Sequence, residues 1–120
     1  MTYIIEQGIK AAVLADQEKW NTVQDALDCM AAASYDGCIG VIVPKECLPE
    51  DFFCLRTGLA GELLQKFTTY NMKIAVTGDF SGYSSQSLRD FIYESNMGRQ
   101  VFFKATAEEG MAAFIKAIAR

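Results

Sequence analysis

The residues with the clearest chemical potential are Arg56 and Asp79. A guanidinium grips a planar carboxylate or phosphate through paired N–H donors, and a nearby carboxylate can orient it. Asp79 and Ser81 lie in the segment Gly78 to Ser85, GDFSGYSS, which has the composition of a loop. Lys45 and Glu46 follow an apolar run that ends at Pro44, and Arg89 falls one turn inside a later helical pattern. In an open α/β sheet, ligands collect beyond the carboxyl ends of the strands. Asp16, Lys45, Glu46, Asp79, Ser81 and Lys104 would all arrive at that rim. Arg56, Asp79, Ser81, Arg89, Lys45 and Glu46 therefore form the candidate ligand-binding set.

No catalytic residue stands out beside them. The chain contains no histidine, so a histidine-dependent nucleophile has no base. Cys29, Cys38, Cys47 and Cys54 include no CxxC pair, and no metal site or cofactor is expected from them. Free and mostly buried thiols suit a reducing compartment. Glu50 and Asp51 read as the acidic first turn of a helix rather than as an acid–base pair. The GDFSGYSS loop precedes a helix and offers amides to a phosphate, but it fits neither the P-loop nor the dinucleotide glycine pattern.

The element that must position Arg56 is the stretch Leu48 to Tyr70, LPEDFFCLRTGLAGELLQKFTTY. It reads as one amphipathic helix started by Pro49. Phe52, Leu55, Leu59, Leu63, Phe67 and Tyr70 share one face at helical spacing, and Arg56 falls near the middle of that face. A guanidinium there needs either a carboxylate or a path to the rim. On the opposite face Cys54, Thr57, Gly58, Gly61 and Gln65 make a small-residue surface. Glycines inside a helix cost about 1 kcal/mol each, and their presence suggests close approach of a second subunit.

The rest of the chain supplies alternating elements. Tyr3 to Glu6 and Ile9 to Leu14 read as a hairpin about Gln7 and Gly8. A helix capped by Asn21 runs to about Ser34, and Gly37 ends it. Cys38 to Val43 and Lys73 to Thr77 read as strands buried on both faces. A helix from about Ser87 to Asn96 follows, capped by Ser84, Ser85 or Ser87. Gln100 to Lys104 is the last strand. Thr106 and Glu109 form the capping box of a closing helix, with Met111, Phe114, Ile115 and Ile118 inward. The order ββαβαβαβα predicts a single α/β domain with a mostly parallel sheet and an N-terminal antiparallel hairpin.

Composition narrows the function classes. Of 120 residues, 51% are hydrophobic and 22% charged, which suits one folded domain. The net charge of −4, without a basic cluster, argues against nucleic acid. No apolar run approaches the ~20 residues that span a bilayer, and the N-terminus lacks signal-peptide character, so a cytoplasmic location is expected.

The run F-x-L-R-T-G-L-A-G-E-L-L-Q-K-F, here Phe53 to Phe67, resembles the signature of an uncharacterised bacterial group, the domain of unknown function 4180. The runs G-D-F-S at Gly78 to Ser81 and S-L-R-D-F-I-Y-E-S-N-x-G-R-Q-V-F-F at Ser87 to Phe103 are similar to the same group. The resemblance implies a small α/β domain and no activity. By order of elements the chain also resembles the STAS domain of anti-sigma-factor antagonists and sulfate transporters, which is fold analogy alone. Those antagonists carry a phosphorylatable serine where this chain has Pro49-Glu50-Asp51-Phe52.

Two readings follow. One is a regulatory or protein-interaction module, a homodimer and not an enzyme. The alternative is a small-anion-binding domain or enzyme that uses Arg56 and Asp79.

Overall fold

Gln7 and Gly8 reverse the chain at its start, both with positive φ, 54° and 78°. A two-residue turn of that kind matches the twist of antiparallel strands. It joins β1 (Thr2–Glu6) to β2 (Ile9–Val13), with Glu6 opposite Ile9 and Thr2 opposite Val13. The computed structural model describes residues 1–119. Three further strands, β3 (Gly40–Pro44), β4 (Lys73–Thr77) and β5 (Val101–Lys104), pair in parallel to give one sheet ordered β1-β2-β3-β4-β5. The helices are α1 (Val23–Tyr35), α2 (Leu59–Thr69), α3 (Gln86–Asn96) and α4 (Ala107–Ala119). The order ββαβαβαβα and the antiparallel hairpin on a parallel sheet are as the sequence predicts.

Each crossover steps to the next strand in the same direction. Crossovers of one hand then place every connecting helix on one face. Ala26, Met30, Leu63, Phe67 and Leu88, from α1, α2 and α3, accordingly pack with Ala12, Val41, Val43, Ile74, Val76 and Phe103. Among the described residues, helix α4 alone covers the other face, where Met111, Phe114 and Ala117 meet Ala11, Ile42, Ala75 and Phe102. Small residues let it lie close. A Cβ on Gly110 would stand 3.0 Å from Ala75 Cβ, and one on Gly40 would stand 2.6 Å from the Phe114 ring. Ile118, expected inward, is 45% exposed because Gly110, Met111, Phe114 and Ala117 make the inner stripe instead.

Helix ends follow side-chain chemistry. The N-cap of α1 is Thr22, not Asn21: its hydroxyl accepts from the Asp25 amide at 3.2 Å, while the Asp25 carboxylate accepts from the Thr22 and Asn21 amides. Ser85 caps α3 by accepting from the Leu88 amide at 3.2 Å. Gly37, at φ 83°, ends α1.

The largest departure from expectation lies between Leu48 and Tyr70. The stretch is not one helix. Residues Glu50–Phe53 and Leu55–Thr57 form separate single turns of 3₁₀ helix, after another at Lys45–Cys47, and α2 begins only at Leu59. Cys54 is extended (φ −105°, ψ 94°), and Gly58 is left-handed (φ 80°). These two residues reset the helical phase. The Thr57 hydroxyl locks the junction: its one proton is shared between the Asp51 and Cys54 carbonyls, at 2.8 and 2.9 Å, and its oxygen accepts from the Leu59 amide. Phe52, Phe53, Leu63 and Phe67 stay buried, but Tyr70 is 66% exposed.

Candidate functional site

The phase reset moves Arg56 off the buried face. Its side chain is exposed on the last 3₁₀ turn and makes no hydrogen bond or ion pair to Asp79 among the described residues. A guanidinium facing the sheet is therefore corrected: a continuous helix would have placed it there, and the breaks at Cys54 and Gly58 turn it to water. Arg89 is exposed as well and donates to Gln86 Oε1, one turn earlier in α3, at 2.9 Å.

The structure does bring Lys45, Asp79 and Ser81 together at the carboxyl rim. The Lys45 ammonium donates to the Asp79 backbone carbonyl at 2.7 Å and stands 5.3 Å from the centre of the Tyr83 ring. Its stem crosses Gly78, where a Cβ would lie 2.8 Å from Lys45 Cγ. The Asp79 carboxylate turns back on its own loop. Ser81 holds it below its ordinary pKa of 3.8 through its hydroxyl and through its amide, which donates to Oδ1 at 2.9 Å; Lys45 adds a smaller effect. Phe53 stacks on Tyr83 with ring centres 5.1 Å apart, and Phe80 meets Phe103 edge-on at 5.5 Å, so the loop is tied to the core by its aromatics. Burial, helped by Glu50 and Glu46, raises the Tyr83 pKa. Glu46 is exposed, and its carbonyl accepts from Lys19 Nζ at 2.9 Å. The rim's polar groups thus hold two loops in place, and this arrangement can brace a surface.

The small-residue set divides. Thr57 and Gly58 are occupied with the turn into α2. Cys54 is half-buried, while Gly61 and Gln65 are exposed, and a Cβ on Gly61 would meet nothing within 4 Å. All four cysteines are free thiols, with Cys38 and Cys47 buried. Burial pushes Cys29 up to about 11 and also raises Cys38 and Cys47, so these three resist ionisation at neutral pH.

A site the sequence reading missed lies at the opposite end of the sheet. Between the C-terminal parts of α1 and α2 lies a cavity of about 390 Å³ lined by Leu27, Met30, Ala31, Ser34, Tyr70 and Met72. A neighbouring hollow of about 310 Å³ shares Ser34, Tyr70 and Met72 with it. Tyr35, just past Ser34, is 92% exposed. The signal was present in Ala31 and Ser34, whose small side chains cannot fill the space beside a second helix.

No helix among the described residues is long and apolar enough to cross a membrane. No curated protein and no solved structure matches the chain. A family model described as "Domain of unknown function (DUF4180)" matches residues 6–114.

Proposed function

This chain belongs to the DUF4180 family, a domain of unknown function, and from that premise we propose that it is a non-catalytic protein-interaction module that self-associates and acts in regulation. The observation that carries the reading is the α1–α2 groove. Its lining is mostly apolar, it opens to solvent, and Tyr70 stands at its lip 66% exposed. Tyrosine offers a large apolar area with a polar tip at little entropic cost, which suits a binding surface. At the carboxyl rim the charges are engaged with the chain's own backbone: Lys45 with Asp79, and Asp79 with Ser81. That favours bracing over anion capture.

Anilinonaphthalene sulfonate serves as a stand-in for an apolar partner group. The native protein should bind it with enhanced fluorescence, and Tyr70→Glu should weaken the binding with the circular dichroism spectrum unchanged. Failure of the native protein to bind, or binding indifferent to Tyr70→Glu, contradicts the groove. Sedimentation velocity tests self-association. A strictly monomeric species at concentrations on the order of 100 μM contradicts it, and loss of the larger species in Gly61→Glu would assign the contact to the exposed face of α2.

A further inference from the structure

The two edges of the sheet are treated differently. At the β5 edge, Asn96 reaches from the end of α3 and holds Phe103 on both sides: its Oδ1 accepts from the Phe103 amide at 2.8 Å, and its Nδ2 donates to the Phe103 carbonyl at 3.2 Å. A side chain paired to a strand in this way blocks addition of another strand. Among the described residues, the β1 edge carries no such device. Its five residues, TYIIE, contain no lysine, proline or bulge, and Ile5 is 68% exposed.

The orientation of the β1 backbone follows from β2. The amide of Ile39 donates to the Lys10 carbonyl, and the amide of Leu14 donates to the Ile42 carbonyl, so even-numbered β2 residues face β3. Ile9, Ala11 and Val13 must then face β1 and bond Glu6, Ile4 and Thr2, their register partners. Tyr3 and Ile5, opposite Ala12 and Lys10, turn their N–H and C=O groups outward. The strand is also held rigidly. The Tyr3 hydroxyl donates to Asp36 Oδ2, Lys10 Nζ donates to the Asp36 carbonyl at 3.0 Å, and the same ammonium lies 4.5 Å from the centre of the Tyr3 ring.

We propose that the β1 edge is the self-association site and that its occupant is a second copy of this chain, paired antiparallel about a two-fold axis at Ile4. The proposal rests on the self-association part of the functional reading and specifies its geometry. In this register Tyr3 faces the partner's Ile5 and exchanges both backbone hydrogen bonds with it, and Ile5 does the same with the partner's Tyr3. All the outward-facing groups of Tyr3 and Ile5 are thereby used. Ile4 meets the partner's Ile4 beside the α4-side core, to which Ile4 already contributes. Glu6 falls opposite the partner's Thr2, so no like charges oppose each other. The Asn96 clamp prevents β1 from adding to a β5 edge instead, an arrangement that would grow without closing. A two-fold pair is the closed outcome, and it makes one continuous sheet from two domains.

Ile5→Pro, Ile5→Thr and Ile4→Cys test this in the full chain. Proline at position 5 removes an outward N–H and leaves the β1–β2 ladder intact. Threonine keeps that N–H. The wild type and Ile5→Thr should sediment as dimers at concentrations on the order of 100 μM, and Ile5→Pro as a monomer. Under mild oxidation Ile4→Cys should form a covalent dimer that the wild type, with its native thiols, does not. The expected geometry permits this, because a non-hydrogen-bonded antiparallel pair sets Cα atoms about 4.5 Å apart, within disulfide reach. A dimer that survives Ile5→Pro, or an Ile4→Cys chain that cross-links no faster than wild type, overturns the edge assignment alone. A wild type that is monomeric throughout overturns self-association as well.

Discussion

Substituting alanine at two glycines three positions apart should move stability in opposite directions. Gly61 sits in the first turns of α2 with ordinary helical backbone, and a Cβ there would meet nothing within 4 Å. Alanine at that position gains helix propensity of about 0.8 kcal/mol. Gly58 is left-handed at φ 80°. Alanine there incurs about 1–2 kcal/mol of backbone strain, offset by about 0.4–1 kcal/mol from a stiffer unfolded chain, which leaves a net loss of roughly 0.5–1 kcal/mol. The two variants should therefore differ by about 1.5 kcal/mol, or on the order of 5 °C in Tm for a domain of this size. Thermal unfolding followed by circular dichroism reads the difference, with urea titration as a check on the free energies. If Gly58→Ala stabilises as much as Gly61→Ala, the left-handed junction is wrong, residues 50–69 run as one helix, and Arg56 returns to its buried face.

Other outcomes follow from single contacts. Asn96→Ala should cost about 1–3 kcal/mol in urea unfolding, since it strands the Phe103 amide and carbonyl in a half-buried setting, and it should raise light scattering by opening the second edge; an unchanged midpoint would rule out the clamp. Asp79 should titrate below its ordinary 3.8, so its contribution to stability is present above that pH and is lost as pH falls through the lowered value. Ser81→Ala should move that midpoint upward in a carboxylate NMR titration, and an unmoved midpoint would remove Ser81 as the cause.

The sheet was legible because its strands announce themselves. Val41, Ile42 and Val43, and Ile74, Ala75 and Val76, are apolar without alternation and prove to be 0% exposed, as strands covered on both faces must be. Gln7 and Gly8 marked the hairpin, and Gly37 the end of α1. The stretch around Arg56 was not legible, because Phe52, Leu59, Leu63 and Phe67 keep a helical spacing across breaks that depend on the backbone of Cys54 and Gly58. A left-handed glycine and a helical glycine look alike in sequence, so Gly58 and Gly61 were read together although only Gly61 lies in a helix. The strand-end rule put Lys45, Asp79 and Ser81 at one rim, and the structure has them in contact. Their hydrogen bonds to nearby backbone were hidden, since they depend on how the loop folds back on itself. The groove beside Tyr70 arises from the relative placement of α1 and α2, which periodicity within either helix does not encode.

Hydrogen exchange at β1 tests most directly whether this domain works by pairing. The amides of Tyr3 and Ile5 face away from β2, so among the described residues of one copy they have no ladder partner. Measured residue by residue over a dilution series, they should be protected when the protein is concentrated and exchange rapidly when it is dilute, while the Ile4 and Glu6 amides keep the same protection throughout. Rapid exchange of Tyr3 and Ile5 at every concentration would contradict edge pairing.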